Sequence, residues 1–277
     1  MDENETLAAL IELLVDEQER WRELRAAGEL VVPADVEGRY RLWRSLVNVR
    51  QPRPASARYL QLEDGFLQLR SQHAGVVTLQ DVRACAQPAG HDGELLLWRG
   101  DITRLAIDGI VNAANSTLLG CFVPCHGCID NAIHTAAGVR LRLACAELMS
   151  AQGHEEPVGR AKLTSAFNLP AGHVLHTVGP RVTGTRPTRN QRAQLTSCYT
   201  ACLELAAQHG LASVAFCCIS TGEFGFPKHD AAHIALDAVR EWQRQAREEG
   251  RPSPTVVFNV FTREDEALYE TLLKGPR

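Results

Sequence analysis

Residues 213–227 read SVAFCCISTGEFGFP, an apolar run that ends in a turn rich in glycine and small hydroxyl side chains. The run predicts a buried strand, and the amphipathic segment after it, HDAAHIALDAVREWQRQA, predicts a helix. Glycines at such a junction let backbone N–H groups converge on an anion. The same turn is equally common as a tight connection without a ligand, so by itself it supports either interpretation.

Similar apolar runs recur from about residue 93 onwards: ELLLWRGDI, DGIVNAAN, GHVLHTVG and PTVVFNVF. Amphipathic helices are predicted between and after them, at CIDNAIHTAAGVRLRLACAELM (residues 128–149), TRNQRAQLTSCYTACLELAAQH and REDEALYETLLK. This alternation predicts an α/β layer structure with a largely parallel or mixed sheet. Ligands of such sheets bind beyond the carboxyl ends of the strands, where GDIT, NAANS, STGEFGFP and NVFTRED are placed.

The N-terminal part of the chain has a different pattern. Residues 5–27 place apolar side chains at helical spacing, and RYRLWRSLVNVR and ARYLQLEDGFLQLR are typical of two further short helices. The segments GELVVPADVEG and QPRPAS between them are typical of connectors. We therefore predict a mainly helical N-terminal extension over residues 1–85 and an α/β domain over residues 86–277.

Composition excludes several classes of protein. A chain of 277 residues that is 45% hydrophobic can bury a large core, and its net charge of −4 without a basic run argues against nucleic-acid binding. The N-terminus, MDENETLAALIELLVDEQER, opens with acids and is interrupted by charges, so we expect neither a signal peptide nor a membrane span. We expect a cytoplasmic protein, in which nine cysteines point to metal binding or catalysis more than to disulfides.

Residues 120–131, GCFVPCHGCIDN, gather three cysteines and one histidine, so Cys121, Cys125, His126 and Cys128 are all candidate metal ligands. Cys125 and His126 are adjacent, and neighbours in an extended stretch point to opposite sides, so one of the two is expected to be excluded. A closed structural zinc site that includes Cys125 or a thiol from elsewhere stays open as an alternative, as does a Cys-His nucleophile pair.

Together and in this order, GDIT, IVNAANS, CIDNAIHTAAG, HTVGP, CISTGEFGFP and VFNVF resemble the macrodomain, the ADP-ribose-binding α/β fold. The resemblance extends from about residue 94 to the end and implies a three-layer α/β/α sandwich with a mixed central sheet. Where most macrodomains carry a glycine-rich run, this chain has GCFVPCHGC, which is similar to the zinc-containing protein ADP-ribosylhydrolases of microbes. That branch implies Zn²⁺ held by Cys121, His126 and Cys128, with the position of Cys125 variable.

The resemblance further implies hydrolysis of mono-ADP-ribose from modified protein side chains, with Asp and Glu esters as the expected linkage. The implied partners are therefore ADP-ribose and a mono-ADP-ribosylated protein. The implied ADP-ribose-binding residues are Asp101, Ile102, Asn115, Cys121, Ile129, Asp130, Ser220, Thr221, Gly222, Glu223, Phe224, Gly225 and Phe261. The implied catalytic residues are Asn115, Cys121, His126, Cys128 and Glu223.

Each part of the ligand has an expected partner. Asp101 and Ile102 would receive the adenine, with Phe261 bordering it, and Asn115 would hold the distal ribose. Residues 220–225 would wrap the pyrophosphate and the distal ribose. The open zinc position would bind either a ribose oxygen or a water, with Glu223 as general base in the second scheme, and the sequence leaves both open.

Three functions remain possible on the sequence alone. The first is the zinc-dependent hydrolase, the second is a reader that binds ADP-ribose without turnover and has a structural zinc, and the third is a zinc-stabilised scaffold. His134 and His176 are expected to support the site or to pack. Core packing is expected for Cys145, Cys198, Cys202, Cys217 and Cys218.

Overall fold

The computed structural model describes residues 2–85 and 95–274. The helices are α1 (Glu3–Glu17), α2 (Glu19–Ala26), α3 (Val36–Val49), α4 (Ala57–Ala74), α5 (Leu79–Cys85), α6 (Ile129–Ala137), α7 (Val139–Gln152), α8 (Arg189–Gln208), α9 (Lys228–Glu248) and α10 (Arg263–Lys274). The strands are β1 (Val77–Thr78), β2 (Leu95–Arg99), β3 (Leu105–Ala106), β4 (Gly109–Ala114), β5 (Ala161–Ser165), β6 (His173–Val178), β7 (Ser213–Phe216) and β8 (Thr255–Val260).

A six-stranded sheet in the order β2-β8-β7-β4-β6-β5 forms the middle layer. Its strands are parallel except for β5, which pairs antiparallel with β6 at the edge. The predicted mixed sheet is therefore confirmed. The strand β5, AKLTS, was not predicted, because an edge strand that is only partly buried lacks a continuous apolar run. The strands β1 and β3, which form a separate two-residue parallel pair, were not predicted either.

Helices cover both faces of the sheet, so the predicted three-layer α/β/α sandwich is also confirmed. On one side α8, α9 and α10 pack side by side, and on the other α6 contacts β4 while α7 contacts β5. The middle strands β4 and β7 are paired only at their start, between Gly109 and Val214 and between Ile110 and Ala215. Beyond these two pairs β4 and β7 are not paired with each other, which leaves room for a cleft at their carboxyl ends.

Helices α1–α4 form a second hydrophobic cluster around Trp43, Tyr59 and Phe66, separate from the core of the sheet. The prediction of one helix over residues 5–27 is wrong, because Gln18 is extended (φ −127°, ψ 125°) and separates α1 from α2. This break lets α2 turn so that Trp21 packs into the same cluster as Leu14 of α1. The connector predicted over residues 28–38 is also shorter than expected, since α3 begins at Val36.

The helix predicted over residues 128–149 is likewise two helices. Gly138 separates α6 from α7 with φ +87°, a backbone conformation that residues with a side chain rarely adopt. A Cβ atom there would lie 2.6 Å from Oε2 of Glu63 in α4. The same Oε2 accepts a hydrogen bond from the backbone N–H of Val139, the first residue of α7, at 3.0 Å. The glycine therefore allows the N-terminal extension to approach the broken helix.

Polar contacts join the extension to the rest of the chain. The Arg142 guanidinium donates from Nη1 to the carbonyls of Val47 at 2.8 Å and Arg50 at 2.6 Å, at the end of α3. Asn48 donates to the Thr135 hydroxyl at 3.0 Å.

The predicted boundary between residues 85 and 86 adjoins residues 86–94, which lie outside the described residues, and it stays a prediction. None of the helices in the described ranges is both long enough and apolar enough to cross a membrane.

Candidate ligand cleft and metal centre

A cleft of about 800 Å³ opens at the carboxyl ends of β2, β8, β7 and β4. This volume is within the range of small-molecule sites. Every residue predicted to bind ADP-ribose lines the cleft except Gly225, and the predicted metal ligands His126 and Cys128 line it as well. Gly225 shapes the adjacent turn instead, with φ +66° and its N–H donated to the carbonyl of Gly222 at 2.9 Å.

The β2/β8 end of the cleft carries an acid and an exposed aromatic ring. The carboxylate of Asp101 accepts through Oδ1 from the N–H and the hydroxyl of Thr103, at 3.0 and 2.7 Å, so the turn after β2 holds this side chain in place. The Asn259 side chain of β8 donates to the carbonyl of Gly100 at 2.9 Å and braces the same turn. The ring of Phe261, just after β8, is 75% exposed. This end can accept an amino group and stack on a flat ring.

The turn after β7 presents unused backbone donors. Ser220 has φ +67°, and its carbonyl accepts from the N–H of Phe226 at 2.9 Å, which closes the turn. Over residues 2–85 and 95–274 no acceptor is found for the N–H groups of Gly222, Glu223 and Phe224. Consecutive free N–H groups that line a cleft form an anion-binding concavity. This turn is therefore suited to a phosphate group.

At the end of β4 the side chain of Asn115 connects two parts of the site. Its Nδ2 donates to the carbonyl of Gly120 at 3.0 Å and lies 3.4 Å from Oδ2 of Asp130, in the first turn of α6. Asn112 donates to the other oxygen of Asp130 at 2.8 Å. Burial raises the pKa of Asp130 to about 6, although the Asn112 hydrogen bond and the Arg142 charge oppose the shift. Asn115 and Asp130 thus hold the start of α6 against β4.

Residues 120–128, here called the cysteine loop, form the second part of the connection between β4 and α6 and bring together Cys121, His126 and Cys128. One ligand atom from each lies within 4.8 Å of the other two, and Cys121 Sγ is 3.6 Å from His126 Nδ1. The loop is a turn and not the extended stretch assumed in the sequence analysis, because Cys125 has φ +53° and the N–H of His126 donates to the Val123 carbonyl. The Cys125 thiol points away, to the carbonyl of Arg41 at 3.4 Å.

This donor set fits a zinc ion. A sulfur and a nitrogen that share a tetrahedral zinc lie about 3.6 Å apart, which matches the Cys121–His126 distance. In the absence of a cation, burial raises the pKa of Cys128 to about 11, and the neighbouring Cys121 adds to the shift. A divalent cation would offset the charge of two adjacent thiolates. Cys121, His126 and Cys128 would hold the ion, and the set has room for a fourth ligand from the cleft.

Glu223 connects the anion-binding turn to the cysteine loop. Its Oε1 lies 3.5 Å from Nε2 of His126, and both residues line the cleft. Since Nδ1 of the same ring faces Cys121, the carboxylate is placed to orient the imidazole. The Glu223 side chain is 66% exposed and is therefore also accessible to water.

Two buried histidines lie behind Asp130. The His134 Nε2 atom is 3.5 Å from Asp130 Oδ1, and the His176 Nε2 atom is 2.9 Å from the Thr164 hydroxyl. Burial lowers the pKa of His134 well below its ordinary value, with a further contribution from His176, and lowers that of His176 to about 4. Both shifts favour the neutral ring, and the supporting or packing role of the two histidines stays a prediction.

Several residues that line the cleft were not predicted as site residues. Phe122, Asn259 and Asp265 all face it, although they lie inside the quoted motifs GCFVPCHGC and NVFTRED. Position directly after a strand or inside the cysteine loop was the signal that could have identified them. The contacts from α3 to the cysteine loop had no such signal, because they come from residues about 80 positions away.

Fold and cleft together define a macrodomain, and the chain belongs to the macrodomain family. The family model described as Macro domain matches residues 111–235. A protein of Treponema medium named Protein-ADP-ribose hydrolase is 45% identical over 273 residues, covering 99% of this chain and 100% of its own length. A protein of the same name from Staphylococcus aureus (strain MSSA476) is 44% identical over 263 residues, covering 95% of this chain and 94% of its own.

Solved structures agree with this assignment. The Oceanobacillus iheyensis macrodomain with ADP is 38% identical, with a TM-score of 0.59, and the match covers 66% of this chain and 92% of that one. The Trypanosoma brucei macrodomain in complex with ADP-ribose is 30% identical, with a TM-score of 0.61, and the match covers 82% and 94%. The predicted family is therefore confirmed.

Proposed function

We propose that this protein is a protein-ADP-ribose hydrolase that removes mono-ADP-ribose from Asp and Glu side chains with the help of Zn²⁺. One observation carries the proposal: the donors Cys121, His126 and Cys128 line the same cleft as the free N–H groups of the turn after β7. An anion-binding turn alone would serve binding. The metal donors beside this turn face the same cleft, and an ion held there would take part in hydrolysis of the bound ligand.

The order of the strands supports an orientation of ADP-ribose along the cleft, with the adenine at the β2/β8 end and the distal ribose at the β4 end. Asp101 and Phe261 follow the neighbouring strands β2 and β8, the anion-binding turn follows β7, and Asn115 follows β4. Strands about 4.8 Å apart place these features over roughly 14 Å. ADP-ribose has the same sequence of parts: an adenine nucleoside, a pyrophosphate and a distal ribose. The distal ribose would then lie next to the cysteine loop.

The residues of this chain would bind the pyrophosphate, hold the distal ribose and orient the imidazole of His126. The N–H groups of Gly222, Glu223 and Phe224 would bind the pyrophosphate, and Asn115 would hold the distal ribose. Glu223 would accept the Nε2 proton of His126 and keep Nδ1 directed at the cysteine sulfurs. Zn²⁺ held by Cys121, His126 and Cys128 would supply a Lewis acid at this end of the cleft.

An ester linkage to Asp or Glu fits this arrangement. Hydrolysis would add the oxygen of a water to the distal ribose and break the bond between the ribose and the side chain, which would leave as a carboxylate, while the proton lost by the water would pass to solvent. A free carboxylate has a pKa of about 4, so near pH 7 it leaves without a proton from the enzyme. The distal end of the cleft therefore needs to hold the ribose and admit water, and needs no separate general acid.

The experiment compares wild-type protein with His126→Ala on a substrate ADP-ribosylated at Glu, with an arginine-linked substrate as the specificity control. Release of ADP-ribose and affinity for free ADP-ribose are measured separately. We expect wild type to hydrolyse the ester, and His126→Ala to lose most hydrolysis but retain affinity, because only the transition state needs the third metal ligand. Circular dichroism and thermal melting check that the variant is folded.

Each other result rejects a stated part of the proposal. Wild-type protein that binds ADP-ribose but releases none from any substrate would be a reader, not an enzyme. Undiminished hydrolysis by folded His126→Ala would remove the metal from the mechanism. Faster release from arginine than from the ester would reject the proposed linkage.

A further inference from the structure

The third helix of the N-terminal extension contacts the cysteine loop directly. Within α3, Arg44 and Asn48 are one helical turn apart, so both project from the same face. That face is directed at residues 125–131, which contain two of the three metal donors, His126 and Cys128. Neither Arg44 nor Asn48 lines the cleft, so neither is placed to touch the bound ligand.

The two side chains hold the backbone on both sides of His126. The Asn48 Oδ1 atom accepts a hydrogen bond from the N–H of Cys125 at 2.8 Å, and Arg44 Nη2 donates to the carbonyl of His126 at 2.9 Å. Cys125 has φ +53°, an unfavourable conformation for a residue with a side chain, which persists only where its surroundings enforce it. Asn48 provides such a constraint at the residue that precedes the metal donor.

Both side chains are themselves fixed. Asn48 is 2% exposed, and its Nδ2 donates to the Thr135 hydroxyl of α6 at 3.0 Å. Arg44 Nη2 also donates to Oδ1 of Asn131 at 2.8 Å, and the N–H of Asn131 donates to Sγ of Cys128 at 3.4 Å. The contacts from α3 therefore position His126 relative to the start of α6, which Cys128 precedes as the N-cap residue.

We propose that Asn48 and Arg44 are positioning residues for metal binding, and that through them the N-terminal extension sets the geometry of the Cys121, His126 and Cys128 donor set. This inference rests on the metal site of the proposed function. Metal donors whose backbone is held by hydrogen bonds bind more tightly, since less freedom is lost when the ion arrives. The extension is then part of the metal centre, although it contributes no ligand.

The test is a titration of the metal-free full-length protein with Co²⁺, whose thiolate and d–d absorption bands report both affinity and tetrahedral geometry. The variants are Asn48→Ala, Arg44→Ala and the double variant. We expect the double variant to bind Co²⁺ roughly ten- to a hundredfold more weakly, with weaker d–d bands. Arg44→Lys keeps a cationic donor and is expected to recover part of the affinity.

Asp64→Ala is the matched control. Asp64 lies in α4 of the same extension and accepts hydrogen bonds from Arg140 and from Asn168 across the same junction, but it does not contact the cysteine loop. We expect this variant to bind Co²⁺ within about twofold of wild type. Melting of every metal-free variant checks its folding, and if Asn48→Ala does not fold, the Arg44 variants decide the comparison.

The outcomes separate this inference from the proposed function. A wild type that binds no Co²⁺ would reject the metal site, and the positioning role with it. Wild-type binding combined with unchanged affinity in the double variant would overturn only the positioning role. An equal loss in Asp64→Ala and the double variant would also overturn it, because the extension would then act through general docking.

Discussion

At the scale of single residues, the conformation of the cysteine loop groups three candidate metal donors and directs the thiol of Cys125 away from them. The spacing alone does not decide whether Cys125 or His126 is the metal ligand. The expectation that neighbouring side chains point to opposite sides holds only for an extended chain. The described structure has a turn in which the positive φ of Cys125 directs its thiol to α3, while Nδ1 of His126 faces Cys121. The assignment of Zn²⁺ to Cys121, His126 and Cys128 stays a prediction, now with a geometric basis.

Single substitutions in the loop test this assignment. We expect about one zinc per chain in wild type, and the same content in Cys125→Ser, whose hydroxyl can still donate to the Arg41 carbonyl. Cys128→Ser should lose the metal, because a neutral hydroxyl replaces a thiolate ligand. Elemental analysis after dialysis against a weak chelator measures the difference. Equal loss in the two variants would instead indicate a closed site with four protein ligands.

At the scale of elements, the break between α6 and α7 decides how the extension meets the macrodomain. The apolar spacing continues across Gly138 and therefore predicts one helix there. The backbone turns at this glycine, and the N–H of Val139 is free to donate to Glu63 because it begins a new helix. A contact between distant parts of the chain therefore selects two helices over one.

Gly138→Ala should destabilise the protein by roughly 2–4 kcal/mol, since the new methyl group meets both an unfavourable φ and the Glu63 carboxylate. Gly153→Ala is the matched control. Gly153 ends α7 with φ +77°, but a Cβ there has no atom within 4 Å, so only the backbone penalty of roughly 1–2 kcal/mol applies. Urea unfolding measures both values, and equal losses would show that the Glu63 contact does not matter.

At the scale of the whole molecule, two hydrophobic clusters meet across a polar junction that contains a buried acid. Glu63 accepts hydrogen bonds from Val139 N–H at 3.0 Å and from the Tyr59 hydroxyl at 3.0 Å, and it is fully buried. Burial raises its pKa from 4.5 to about 7, against the opposing effect of these hydrogen bonds. The folded state thus binds a proton that the unfolded state releases at lower pH.

The sign of the resulting pH dependence follows from linkage. The contribution of protonated Glu63 to stability is fully present below pH 4.5 and is lost as the pH rises through 7. The loss is at most about 3 kcal/mol. We expect Glu63→Gln to remove this loss, so that the free energies of unfolding of wild type and variant differ by a pH-dependent amount.

Chemical denaturation at several pH values between 4.5 and 8, with a chelator present to exclude metal uptake, measures this difference. His134 acts in the opposite direction, because its lowered pKa favours the folded state at higher pH, but it is common to both proteins. Parallel pH profiles for wild type and Glu63→Gln would show that Glu63 has an ordinary pKa in the folded protein.

The sequence by itself determined the α/β class, the strands that end at the cleft and the residue types gathered there. These properties are local: a buried strand needs a continuous apolar run, and a strand end that binds an anion needs glycine and small polar residues within a few positions. Family resemblance then connected motifs such as GDIT and CISTGEFGFP to one ligand, and the fold places them along one cleft.

Only the tertiary structure decided the edge strand β5, the break at Gly138, the direction of the Cys125 thiol and the contacts from α3 to the cysteine loop. Each depends on a partner that is distant in the chain: β6 for β5, Glu63 for Gly138, and Arg41 and Asn48 for Cys125. The local pattern of apolar and polar residues is nearly the same whether or not such a partner is present. The hydrogen bonds and close approaches that decide these features exist only once the chain has folded.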